Sequence, residues 1–152
     1  SNPSDSPWYS FWERLNPGKD SRADPWAPEP CAAEAAGERV FVKYGYDGVG
    51  VDSGLVSHLL GAGVNLVLVC GLVTSCCVHM NAAGLFLRGF ETFVVADACG
   101  DRAPEMHRAS LARESRRSYG VLDLRDALAF IADPEGLDPV ARSWPNATQL
   151  EK

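Results

Sequence analysis

The sequence predicts an α/β fold, a parallel β-sheet with helices on both faces in three layers. Two observations carry this. The runs Leu66-Val67-Leu68-Val69 and Thr92 to Ala96 are almost continuously apolar, as strands covered on both faces are. Segments of helical period separate them, so the order is strand, helix, strand, helix, strand, which builds a parallel sheet.

The elements follow in chain order. Residues 1–37 are rich in Pro, Ser, Asp and Trp, with no sustained period, and read as an irregular arm. The domain is expected over 38–132. It starts with a short strand, Val40-Phe41-Val42, ending in Lys43, followed by a loop with Gly45, Gly48 and Gly50. Ser53 to Leu60 places Leu55, Val56, Leu59 and Leu60 at helical spacing, with Asp52 or Ser53 as cap and Gly61 and Gly63 as stop. After the Leu66–Cys70 strand, Gly71 to Ser75 is a tight turn and Cys76 to Arg88 a helix ended by Gly89. Ala82, Ala83 and Gly84 would bring that helix close to the sheet. Asp97 closes the next strand. Pro104 suits the first turn of the following helix, where its missing N–H is an orphan in any case. Tyr119 to Leu122 reads as a last strand and Asp123 as the cap of a final helix through Ile131. Residues 133–152 form a polar tail containing Pro134, Pro139 and Pro145.

Bulk composition narrows function. A chain of 152 residues, 46% hydrophobic and 22% charged, suits one domain. A net charge of -6 argues against nucleic acid, which demands a basic footprint, and against anionic lipid. No apolar run is long enough to span a bilayer. The 5 cysteines are odd in number and irregularly spaced, which favours reduced thiols and a cytoplasmic location over a disulfide framework. No C-x-x-C pair suggests zinc, and no metal or other cofactor is expected.

In such sheets ligands bind beyond the carboxyl ends of the strands. Lys43, the Gly71–Cys77 turn and Asp97 are all expected there. A thiol where a strand bends into a helix meets unpaired N–H groups and the positive end of the helix dipole, and both favour thiolate. Lys43 at the neighbouring strand end would add a positive charge. The bland reading is that Cys76 and Cys77 fill a crowded helix start and Lys43 is a solvated charge. His58, His79 and His107 read as structural, with His58 exposed and His107 bonded to backbone near the Asp97 loop.

The stretch Gly71-Leu72-Val73-Thr74-Ser75-Cys76-Cys77-Val78-His79-Met80-Asn81-Ala82 resembles the G-x-x-T-x-x-C-V-x-x-T-A signature of isochorismatase-like cysteine hydrolases, with Asn81 in place of the usual Thr. Arg88-Gly89-Phe90, Asp97-Ala98-Cys99, Asp101-Arg102 with His107, and Val42-Lys43 with Asp47-Gly48 resemble further family features, so the resemblance covers about Arg39 to Leu128. It implies a Rossmann-like fold of the isochorismatase type, Cys77 as nucleophile and Lys43 as catalytic lysine. It also implies a cis bond before Val73, whose N–H joins that of Cys77 in an oxyanion hole. Tyr44 and Tyr46, just after Lys43, are expected either to line the pocket or to pack under the loop. The resemblance further implies a catalytic Asp at the end of a first, central strand. Asp5, Asp20 and Asp24 lie among prolines and do not match it, so the chain reads as lacking that strand. The metal motif of the nicotinamidase branch is not found either.

Two functions stay open. One is hydrolysis of a C–N bond in a small-molecule amide or ureide through a thioester on Cys77. The other is a non-catalytic fragment or interaction module on the same scaffold. By analogy with the family, a homo-oligomer is expected.

Overall fold

The computed structural model describes residues 38–139, apart from Val42, Tyr44, 51–53, Arg116 and Leu137, together with Phe11, Arg14, Leu15 and Pro17. The expected arm and tail otherwise lie outside the described residues. Phe11, Arg14 and Leu15 have helical backbone, and the Arg14 guanidinium lies over the Phe11 ring, 5.6 Å from its centre.

The elements run α1 (Leu55–Gly61), β1 (Leu66–Leu72), a five-residue π-turn (Thr74–Val78), α2 (His79–Phe86), β2 (Glu91–Gly100), α3 (Pro104–Glu114), β3 (Gly120–Leu122) and α4 (Leu124–Ala132). The strands lie in the order β1-β2-β3, all parallel, with α2 and α3 as crossovers. The α/β reading holds.

Strand alternation sorts the core into layers. On one face Val94 and Ala96 of β2 and Val121 of β3 meet Val78, Ala82, Leu111 and Tyr119. Beside them Val49, Leu85 and Phe90 pack with Leu55, Val56, Leu59 and Val67. Burial of a side chain such as Leu111, fully enclosed, contributes about 1.5–3 kcal/mol. Phe93, Val95 and Asp97 point to the opposite face. There α4 is held by two carboxylates: Asp123 accepts the Asp126 N–H at 2.8 Å, as its capping position predicts, and Asp97 accepts the Leu124 N–H at 2.6 Å. Pro104 stands in the first turn of α3, as expected.

Several elements differ from the sequence reading. Strand β2 does not stop at Asp97. Its pairing with β1 jumps from Val69–Val94 to Gly71–Cys99, so β2 bulges over Val95 to Ala98 and resumes at Cys99–Gly100. Gly71 follows the bulge with φ 123°, a conformation that favours glycine. The bulge delivers Gly100 and Asp101 to the end of β1.

The expected Cys76–Arg88 helix is split. Its start is the π-turn, and its α-helical part ends at Phe86. Of its small residues, Ala82 faces the sheet, whereas Gly84 admits the loop before α1. A methyl on Gly84 would lie 3.3 Å from Val49 Cβ. Helix α1 is entered through Gly54 with φ 78°, whose carbonyl accepts the His58 N–H at 3.0 Å; the expected caps Asp52 and Ser53 lie outside the described residues.

Of the expected strand ending at Lys43, the described residues Val40, Phe41 and Lys43 lie in no strand, and Val40 is 60% exposed; Val42 lies outside the described residues. Three or four residues hold strand geometry only against a ladder partner, and β1 pairs on its β2 side alone among the described residues.

Candidate active site

The peptide between Leu72 and Val73 is cis, as the family resemblance implied. The chain then makes the π-turn, closed by the Val78 N–H on the Val73 carbonyl at 3.2 Å and the Cys76 N–H on the same oxygen at 3.1 Å. Cys77 lies inside this wider i→i+5 loop. Single π-turns of this kind recur at functional sites.

Side chains from three other segments fix the turn. Thr74, fully buried, donates its hydroxyl hydrogen to the Gly100 carbonyl at 2.9 Å. A carbonyl can only accept, so that hydrogen is committed. The His107 Nδ1, 2.8 Å from the same hydroxyl oxygen, is therefore the protonated nitrogen and donates to it. Asp101 accepts the Ser75 N–H at 2.7 Å and the Arg102 N–H at 2.8 Å. Burial opposes its charge, yet these hydrogen bonds and the nearby His107 hold its carboxyl below the usual range. Asn81, one turn beyond Cys77 on α2, donates to the Cys77 carbonyl at 2.7 Å.

The same Asn81 reaches the Lys43 loop. It donates to the Tyr46 carbonyl at 2.9 Å and accepts the Gly48 N–H at 2.9 Å. Lys43, itself exposed, donates from Nζ to the carbonyls of Gly45 at 2.7 Å and Tyr46 at 3.3 Å. Its stem runs over Gly48, where a methyl group would lie 2.9 Å from Lys43 Cδ.

Two thiols sit side by side in the turn, both half-buried. The Cys76 thiol is pushed up by burial, and further by the charge of Cys77 and its hydrogen bond to that residue. The Lys43 and Arg102 charges pull the other way. Both cations therefore act on this turn. The Cys99 thiol, behind it on β2, is pushed up to about 11, chiefly by burial.

Of the residues predicted from sequence, Val73, Cys77, Lys43 and Tyr46 are joined by one continuous chain of bonds through Asn81 and the turn. Tyr44 lies outside the described residues. His107 bonds the Thr74 hydroxyl and not backbone near Asp97, while His79 stands 3.5 Å from the Tyr119 hydroxyl. His58 is half-buried against the Phe41 ring, with centres 5.4 Å apart. Sequence reasoning missed the supports Thr74, Asp101 and Asn81. All three lie in stretches that the family resemblance marked, Thr74 and Asn81 in the signature and Asp101 beside Arg102 downstream, but the resemblance gave no hint of what each holds. No group of three or more His, Cys, Asp or Glu side chains suited to a metal occurs among the described residues. Nor is any described helix long and apolar enough to cross a membrane.

Comparison with known proteins agrees with this architecture. The sequence model of the Isochorismatase domain matches residues 2–126, starting well before Arg39. The maleamate amidohydrolase of Pseudomonas putida is 32% identical over 98 residues, covering 64% of this chain and 46% of that protein. Isochorismatase domain-containing protein 2 of Bos taurus is 35% identical over 71 residues, 47% of this chain and 30% of that one. The chain thus spans under half the length of these curated relatives. A cysteine hydrolase from Pseudomonas syringae superimposes with a TM-score of 0.67 at 20% identity, over 73% of this chain and 57% of that one. An isochorismatase family protein from Desulfovibrio vulgaris gives 0.61 at 24% identity, over 66% and 52%. At these identities the structures attest the fold.

Proposed function

Because the chain belongs to the isochorismatase family, we propose that it is a cysteine hydrolase acting on the C–N bond of a small amide. The observation that carries this is the π-turn itself: the Cys77 thiol stands where β1 bends into a helix, in a segment pinned from three sides.

In this reading the Cys77 thiolate attacks the amide carbon, and the C=O π pair moves onto oxygen. The Val73 and Cys77 N–H groups hold that oxyanion. The tetrahedral intermediate collapses, the C–N bond breaks, and the amine leaves with a proton from a general acid. Water then cleaves the thioester and regenerates the thiol. Lys43 favours the thiolate, and Tyr46 walls the substrate. The Arg102 charge, which acts on the same turn, favours an amide that carries a carboxylate, the substrate type named for the Pseudomonas putida relative.

Two further placements are proposed with it. The four described cysteines are unpaired, which fits a reducing compartment such as the cytoplasm. Leu124, Leu128 and Ile131 form an exposed stripe along α4, 43%, 55% and 61% exposed, which fits burial in a homo-oligomer.

The test is turnover of a panel of small amides, maleamate included, by the chain and by Cys77→Ala. Loss of turnover on substitution is expected. Equal turnover by both proteins refutes the assignment of Cys77, and no turnover by the folded wild-type chain favours the interaction module.

A further inference from the structure

Asn81 joins two segments that share no strand pairing among the described residues. Toward its own helix its Nδ2 donates to the Cys77 carbonyl at 2.7 Å. Toward the Lys43 loop the same Nδ2 donates to Tyr46 O at 2.9 Å, while Oδ1 accepts the Gly48 N–H at 2.9 Å. Both amide hydrogens and the amide oxygen are thereby used. Only a carboxamide offers two donors and an acceptor in so short a side chain. The Thr usual at this position in the family has one hydroxyl, which can serve the helix carbonyl but cannot also span two loop atoms.

The loop it grips is the one that seats the lysine. Tyr46 O accepts from Lys43 Nζ as well as from Asn81, and Gly45 O accepts from Lys43 at 2.7 Å. The Lys43 stem and the Asn81 oxygen also share the space over Gly48, where a methyl group would lie 2.9 Å from Lys43 Cδ and 3.1 Å from Asn81 Oδ1. Among the described residues, Lys43 and residues 45–50 belong to no strand of the sheet.

We infer that Asn81 is a positioning residue: it docks the Lys43 loop onto the helix that carries Cys77 and thereby sets the lysine ammonium against the nucleophile. This rests on the reading of Cys77 and Lys43 as the reacting pair. Asn81 acts through Lys43.

The experiment is a double-mutant cycle in the full chain with Asn81→Ala, Lys43→Met and both together. The first readout is the rate of Cys77 alkylation by iodoacetamide, resolved from the other cysteines by peptide mass mapping. The second is kcat and KM on any amide the wild-type protein turns over, with thermal unfolding alongside. Asn81→Ala is expected to slow Cys77 alkylation about tenfold, the worth of roughly one hydrogen bond, and to slow it no further once Lys43 is Met. The kcat falls by a similar factor while KM is unchanged. If Asn81→Ala slows alkylation equally with and without Lys43, or not at all, the inference is overturned. Should Asn81→Ala fail to fold, Asn81→Ser, which keeps a hydroxyl for the Cys77 carbonyl, carries the same comparison. Coupled alkylation rates with no amide turnover would defeat the hydrolase reading alone. Amide turnover through Cys77 with additive rates would defeat this inference alone.

Discussion

Replacing Thr74 by Val keeps the shape of a fully buried side chain and deletes its hydroxyl. Two partners are then stranded: the Gly100 carbonyl, which accepted at 2.9 Å, and the His107 Nδ1–H, which donated at 2.8 Å. A buried polar group left without a partner costs about 1–3 kcal/mol. Both are partly buried, so the expected loss is about 2–4 kcal/mol in total. For a domain of this size each kcal/mol lowers Tm by about 2–4 °C, which gives a drop of about 5–15 °C. Urea unfolding at constant m measures the same quantity. Thr74→Ser, which keeps the hydroxyl, retains most of the stability. Adding His107→Leu to Thr74→Val costs less than the two single changes summed, because the stranded donor is removed as well. A Thr74→Val protein within about 0.5 kcal/mol of wild type, the range of a neutral surface change, would show that the hydroxyl does not tie the turn to β2 and α3.

Two other predictions concern titration. Asp101 is held below the usual carboxylate range in the folded protein, so its contribution is complete above the unfolded value near 3.9 and is lost as pH falls through the lower folded value. Wild type should therefore exceed Asp101→Asn in urea midpoint at pH 7, with the gap closing toward pH 3; a gap independent of pH refutes the carboxylate's role as turn cap. The Cys99 thiol, pushed up to about 11 by burial, stays protonated near pH 8, so brief iodoacetamide treatment should label exposed Cys70 well before Cys99. Equal labelling of the two would contradict the enclosure of Cys99 behind the turn.

The parts of the fold that sequence revealed are those built from local rules. Leu66–Val69 and Thr92–Ala96 read as strands because a strand with both faces buried has no polar alternation to preserve. Pro104 and Asp123 marked helix starts because each acts on backbone within its own first turn. The Gly71–Val78 segment stood out because its residue types and spacing match a family signature. Where the reading failed, a distant partner decided. Val40 and Phe41 are apolar enough for a strand, yet the described residues of that segment lie in none, because a strand exists only with a neighbour. Asp97 looked like a strand end, yet β2 continues because Gly71 and Leu72 resume pairing with Cys99 and Gly100.

From sequence alone follow the parallel sheet, the order of its elements, and the placing of two thiols where a strand bends into a helix. The tertiary structure alone decides how that turn is held: by Gly100, Asp101 and His107, 26 to 33 residues downstream, and by Asn81 reaching 33 to 35 residues back to the Lys43 loop. Periodicity and capping act over a few residues. Hydrogen bonds at this separation exist only once the core has packed and brought their two ends within 3 Å.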